Sequence, residues 1–469
     1  MSQKHETAPL KLVNFERYML ADDCPDYPMV IAVKATLKGQ LNRAAFESAF
    51  EKVLENNPLL TSKISQRLDD YYWTPTNPIA IVWTNSAPKM IRLNLAEDPG
   101  IKAFANCGED SCELTLFIHH SVADAKGICQ LLEDWLNYYG IFAGGNGKAS
   151  AVQKLDQERH RSNLYLPHRG RFGMNLFKYL LRPFQELCGV VGLIEYFSHR
   201  PVAIGPQSVQ HNPDSESLTH DQTTLKFSVD ETQQVFSDSK STRYKINDMM
   251  VASMYTACHH WLEIHQPEQC HRHQRIVIPI DMRSKTTPEK CIANHVSMVF
   301  LDRRPARHLS VRNLCWSIWL EMTAIKAMRL GLTLIHLISF YRVRKNISGL
   351  FPRNRSVATT ILSNMGQLFP RSPLRNRDAQ LECHGLTLTE LNLFPPIRPY
   401  TWISCLVHTY GNQIRISANW CSESLKPQDV LEILAKFKQT LLTGFANPPS
   451  ESQTLSSIHT AHHSPQKCP

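Results

Sequence analysis

Apolar and polar positions recur along this chain with two different periods. In LNRAAFESAFEKVLENNPLL, residues 41–60, Leu41, Ala45, Ala49 and Val53 fall four apart, which predicts a helix, and Asn57-Pro58 stops it. The runs MVIAVKATLKG before it and LLTSKIS and AIVWTN after it read as strands. An α/β arrangement follows.

The period changes inside LTLFIHHSVADAKG, residues 114–127. Leu114, Leu116, Ile118 and His120 share one parity, and Thr115, Phe117 and His119 the other, so a strand sends the two imidazoles to opposite faces. Ile128, Leu131, Leu132 and Trp135 then fall at i, i+3, i+4 and i+7, which predicts a helix with one buried face. The histidines sit at a strand's end, and Asp124 at or near a helix start.

From about residue 142 the pattern loosens. GGNGKASAVQ reads as a loop, and its GK pair is no phosphate loop: Phe142 stands where the first glycine belongs and Ala149 where Ser or Thr belongs. Basic and apolar residues mix in RGRFGMNLFKYLLRPFQELCGVVGLIEYFSHR, and the polar PVAIGPQSVQHNPDSESLTHDQ after it reads as a linker. The second half restarts with the strand TTLKFSVD and a helix from Asn247, followed by RIVIPIDMR, a buried strand ending at Arg283. WISCLVHTYGNQIRISANW reads as two strands around Gly411-Asn412, and DVLEILAKFKQTLL as a closing helix. The organisation expected is a first half at 1–200, a linker at 201–222, a second half at 223–446 and a disordered tail at 447–469.

A chain of 469 residues, 42% of them hydrophobic, supports a large core in two domains. Lys plus Arg number 51 against 42 Asp plus Glu, so the net charge of +9 is a mild bias toward anionic partners. Nucleic acid is not an expected partner. The 13 cysteines contain no CxxC pair and the N-terminus no signal-like apolar run, so a reduced, cytoplasmic setting is expected. LGLTLIHLISFY, the most apolar long stretch, is shorter than a bilayer span and interrupted by Thr333, His336 and Ser339. The segments RGRFGMNLFKYLLRPF and FYRVRKNISGLFPRNR read either as core helices with solvated flanks or as docking elements for a membrane surface or an acidic carrier protein.

His-His occurs three times, at His119-His120, His259-His260 and His462-His463, and only the first pair has a carboxylate four residues on, Asp124. Two strand neighbours facing opposite ways do not converge on one ion, and CHRH at Cys270 has no partner cluster, so no metal is expected. One reading of the first pair is purely structural: a core histidine at a strand end, with Ser121 and Asp124 forming the S-x-x-D capping pattern of the next helix.

HHSVADAKG also resembles the HHxxxDG signature of the chloramphenicol acetyltransferase and condensation-domain superfamily, which includes alcohol acyltransferases, polyketide-associated acyltransferases and wax-ester synthases. His119, His120 and Asp124 fit it. Ala125 replaces the glycine, which alanine can do where φ is negative. YKINDMMVASMYTA, VIPIDMR, TTILSNMG and VHTYGNQIRISANWCSESLKPQDV resemble further segments of that family, in order, from about residue 10 to 445.

The resemblance implies two chloramphenicol-acetyltransferase-like α/β sandwich halves forming a pseudo-dimer around a central tunnel. A donor thioester, acyl-CoA or acyl carrier protein, enters from one side and a hydroxyl or amine acceptor from the other. It implies an acyltransferase with His120 as general base, no bound cofactor and no metal. His119 becomes a buried support and Asp124 an ion-paired brace with Arg283 as candidate partner. Alternatively, Asp124 only caps its helix and Arg283 is solvated. Ser363 and Asn364 are candidates to line the tunnel, donate to an oxyanion or pack a loop. Ser404 and His408 share one strand parity, so they face the tunnel together or face outward together. Two other functions stay open: a free-standing amide-forming condensation enzyme, and a non-catalytic relative that binds an acyl chain or carrier protein.

Overall fold

The computed structural model describes residues 10–67, 70–76, 79–144, 176–207, 220–283, 292–304, 310–343 and 349–445. The glycine-lysine loop from 145, most of the expected linker and the expected tail lie outside the described residues.

The first half begins with β1 (Leu10–Lys11), α1 (Asn14–Asp22), β2 (Val30–Lys38), α2 (Arg43–Asn56) and α3 (Pro58–Thr61). It continues through β3 (Ser62–Arg67), β4 (Asp70–Pro75), β5 (Val82–Trp83), β6 (Ile101–Cys107), β7 (Ser111–His119) and α4 (Ala125–Phe142). Next come α5 (Leu176–Ser198), β8 (His220–Lys226), α6 (Val229–Ser241), α7 (Ile246–His265), β9 (Gln274–Asp281) and β10 (Val296–Arg303). The chain closes with α8 (Val311–Met328), α9 (Gly331–Val343), β11 (Thr360–Gln367), β12 (Leu381–Cys383), β13 (Leu386–Phe394), β14 (Ile403–Tyr410), β15 (Gln413–Cys421) and α10 (Pro427–Thr443).

Two six-stranded sheets carry the fold, in the orders β12-β13-β2-β7-β6-β5 and β10-β9-β11-β14-β15-β8. A third sheet, β1-β4-β3, has three strands. In the first sheet the alternation of β7 is realised as expected. Leu114, Leu116 and Ile118 join the main core, while Phe117 packs with Val30, Ala32 and Phe394 on the other face. Helix α4 lays Ile128, Leu131, Leu132 and Trp135 on the first of these faces, where Trp135 stacks at 4.5 Å on Phe46 and 4.4 Å on Phe50 of α2. Such aromatic pairs contribute about 0.5–1.5 kcal/mol each beyond the area they bury.

The first sheet borrows β12 and β13 from the second half of the sequence, with β13 antiparallel to β2. An irregularity between Leu388 and Glu390 shifts the register of β13, which lets Leu386 and Leu388 share one buried face with Leu391 and Leu393 despite their opposite parity. The expected hairpin at Gly411-Asn412 joins β14 to β15, and both turn residues have positive φ, 57° and 60°, as a two-residue type I′ turn requires. Cys107 and Cys112 are bonded to each other across the β6–β7 hairpin, which departs from the expectation of reduced cysteines. No single described helix is long and apolar enough to cross a membrane.

Candidate active site

Strand β7 ends at His119, and residues 120–122 turn away from it. His120 therefore lies just beyond the strand, and its direction is set by the turn rather than by strand parity. Main-chain bonds hold that turn on both sides: His119 N–H donates to Gly100 O at 2.9 Å and His120 N–H to Met29 O at 2.7 Å. Asn294 donates from Nδ2 to the His120 carbonyl at 2.7 Å and lies 3.4 Å from its Nδ1. The His120 ring is half-buried and lines a cavity. Burial pulls its pKa below the ordinary imidazole range, outweighing its own carbonyl, the Asp124 charge and the Ala123 carbonyl, which favour the proton.

His119 is fully buried. Its Nδ1 accepts the Ser121 N–H at 3.1 Å and its Nε2 lies 3.7 Å from an Asp23 oxygen, so this ring supports the turn and does not line the cavity.

Asp124 is the N-cap of α4, accepting the Gly127 N–H at 2.8 Å. The S-x-x-D reading is thus corrected. Ser121 donates instead to the Glu16 carbonyl at 3.3 Å, because the turn carries it toward α1 before the helix starts. Capping and ion pairing, weighed above as alternatives, occur together. Arg283 donates to both Asp124 oxygens at 3.0 Å, and the His295 N–H adds a bond of 2.8 Å. Burial alone would raise the Asp124 pKa, but the Arg283 charge and bonds and the N–H groups of Gly127 and His295 hold it below the usual carboxylate range. With both oxygens occupied and 1% exposure, this carboxylate is a brace between the halves.

Ala125 opens α4 in helical geometry, so the backbone there makes no demand for glycine. Gly127 is the position where small size counts. An added Cβ would meet the Ala293 backbone at 3.3 Å, so the bare glycine lets α4 press against the segment that supplies Asn294 and His295.

The cavity encloses about 1110 Å³ with its mouth and lies between the halves. His120, Asp124 and Lys126 reach it from the first half, and Arg283, Ser363, Asn364 and Ser404 from the second. The Oδ1 of Asn364 accepts the Gly366 N–H at 2.9 Å in the β11 irregularity, and the buried Ser404 Oγ has no hydrogen-bond partner among the described residues. His408 shares the parity of Ser404 but does not line the cavity. Its Nε2 bonds Leu391 O of β13 at 2.9 Å, and burial pulls its pKa down to about 4.

Sequence reasoning did not find Asn294, 174 residues from His120, nor a second buried pair across the halves, Asp22 with Arg398. Arg398 donates from Nη2 to Asp22 Oδ1 at 2.7 Å, while its Nη1 lacks a partner among the described residues, and the residue lines the cavity. Glu195, His199 and Asp302 come together at metal-like spacing elsewhere, but Arg275 occupies both Asp302 oxygens at 2.5 and 2.7 Å. A cation is already in place there.

By sequence the chain matches no family model and no curated protein. By structure it superposes over nearly its whole length on solved proteins. The first condensation domain of the CDA synthetase aligns with TM-score 0.66 at 12% identity, covering 95% of this chain and 98% of that one. The chain has the condensation-domain fold.

Polyketide synthase associated protein 5 from Mycobacterium tuberculosis aligns at TM-score 0.65 and 14% identity, covering 93% of this chain and 98% of the other. The trichothecene 15-O-acetyltransferase from Fusarium sporotrichioides aligns at 0.66 and 11%, covering 95% and 97%. In this chain the His120 turn of one half meets the Arg283 and Asn294 segments of the other at the cavity.

Proposed function

We propose that this chain transfers an acyl group from a CoA or carrier-protein thioester to an acceptor hydroxyl, with His120 as the general base. The observation that carries the reading is a half-buried imidazole facing an inter-half cavity, kept neutral by burial, on a turn pinned from both halves. In the neutral ring one of the two nitrogens carries a lone pair. It takes the acceptor proton as the oxygen attacks the thioester carbon, and the imidazolium returns that proton to sulfur as the C–S bond breaks. No covalent enzyme intermediate is required.

Sharing a fold with a protein named as an O-acetyltransferase supports a hydroxyl acceptor. Sharing it with condensation domains supports a second reading, an amine acceptor and amide product. A panel of acyl-CoA donors against alcohols and amines, followed by free-thiol release, tests both. Release with amines alone selects the second, and no release from any pair selects a non-catalytic acyl or carrier binder.

The depressed pKa of His120 fixes a sign for pH dependence. The active form is the neutral ring, so kcat/KM rises with pH, with its acid midpoint below the ordinary value of about 6.5, and is flat above it. A midpoint clearly above that value contradicts the assignment.

A peripheral membrane contact is proposed through α5, where Leu187, Val190, Val191, Ile194 and Phe197 form an exposed apolar stripe. Liposome flotation at low and moderate salt is expected to carry the protein upward. Failure at both salts removes the contact.

A further inference from the structure

A second cavity adjoins the first, and the reaction derived above makes no use of it. It encloses about 970 Å³ with its mouth. Met298, Phe300 and Phe351 line both cavities, so the partition between His120's space and this one consists of apolar side chains. Met298 and Phe300 are only half-buried, because open space on either side leaves them incompletely packed.

Behind the partition Ile325, Leu330, Leu334 and Leu337 supply an aliphatic wall from α8, α9 and the turn between them. Three of the four charged groups of the lining are paired within the protein, Arg275 with Asp302 and Glu321 with Arg303 at 2.8 Å, while Glu195 on α5 stands 4.0 Å from His199. The rest of the lining is mostly apolar, so shape and apolar contact dominate recognition. The mouth lies at α5, where Val191 is both exposed and part of the lining, beside the exposed Leu187, Val190 and Ile194. A ligand entering there crosses apolar surface.

We infer that the second cavity holds a hydrocarbon chain carried by one of the two reactants, whose reacting end passes Met298, Phe300 and Phe351 to reach His120. This rests on the acyl-transfer reading and narrows its substrate class to lipid-like molecules. Each methylene buried there strengthens binding about fourfold.

Two variants fill the space without removing existing packing. Ala324→Phe adds bulk on the α8 wall. Gly192→Leu adds it at the mouth, where a new Cβ meets nothing within 4 Å and leucine is the better helix former. One kinetic arm compares palmitoyl-CoA with acetyl-CoA on a short alcohol; the other compares hexadecanol with ethanol on acetyl-CoA. In one arm the wild type is expected to prefer the long chain, and both variants to lower the long-to-short ratio of kcat/KM at least tenfold. That arm identifies which reactant carries the chain.

A ratio unchanged by both variants in both arms overturns the inference. Titration with the fluorescent fatty acid cis-parinaric acid gives a readout that needs no catalysis. Saturable binding weakened at least tenfold in the variants supports the site, and no saturable binding by the wild type overturns it. Binding without any thiol release sinks the acyl-transfer reading while leaving the chain site standing.

Discussion

Replacing His120 by alanine is expected to slow thiol release about 10²–10⁴-fold at saturating substrates, with KM little changed. The magnitude is that of a general base acting in the transition state. The substitution is also unusually clean. Both strong bonds at this position, His120 N–H to Met29 O and Asn294 Nδ2 to the His120 carbonyl, use the main chain and survive in the variant. The ring itself is half-buried, lies 3.4 Å from Asn294 and sits beside its own carbonyl and that of Ala123. Thermal unfolding should therefore stay close to wild type, which separates lost chemistry from lost structure. A rate within about threefold of wild type would remove His120 from the reaction.

Asp124→Ala acts in the opposite way, on stability first. It leaves the Arg283 guanidinium without its bidentate partner and the N–H groups of Gly127 and His295 without an acceptor, all at a nearly fully buried site. Removing one member of such a pair costs about 3–5 kcal/mol, read from urea unfolding. The pH dependence has a defined sign. The folded-state pKa of Asp124 lies below its unfolded value of about 3.9, so its contribution is fully present above that value and is lost as pH falls through the folded pKa. The gap between wild type and variant should be constant near neutrality and shrink only in acid. An Asp124→Ala/Arg283→Leu double variant should lose less than the sum of the single losses. Full stability with a selective loss of rate would contradict the brace.

What could be read in advance follows from how far each signal reaches along the chain. The amphipathic period of α4 and the alternation of β7 are local, so both elements and the placement of two histidines at a strand's end were legible. Strand parity reaches only to His119, because the backbone turns at residues 120–122, yet the two rings do part, His120 lining the cavity and His119 not. The pairing of Asp124 with Arg283, 159 residues apart, has no periodic signature and was reached only through family resemblance. Asn294, and Asp22 with Arg398 across 376 residues, had not even that support. Alternation tells which face of a strand is buried but not which sheet receives it, so nothing in the sequence placed β12 and β13 beside β2. The same limit left the direction of His408 open, and only the packing of β14 against β13 decided it.

The most direct measurement supplies a labelled acyl thioester and an alcohol to wild type and His120→Ala side by side, identifies the product by mass and counts released thiol. The expected result is a labelled ester from the wild type, with thiol released in equal amount, and neither above background from the variant. Equal ester formation by the two proteins would contradict a reaction centred on His120.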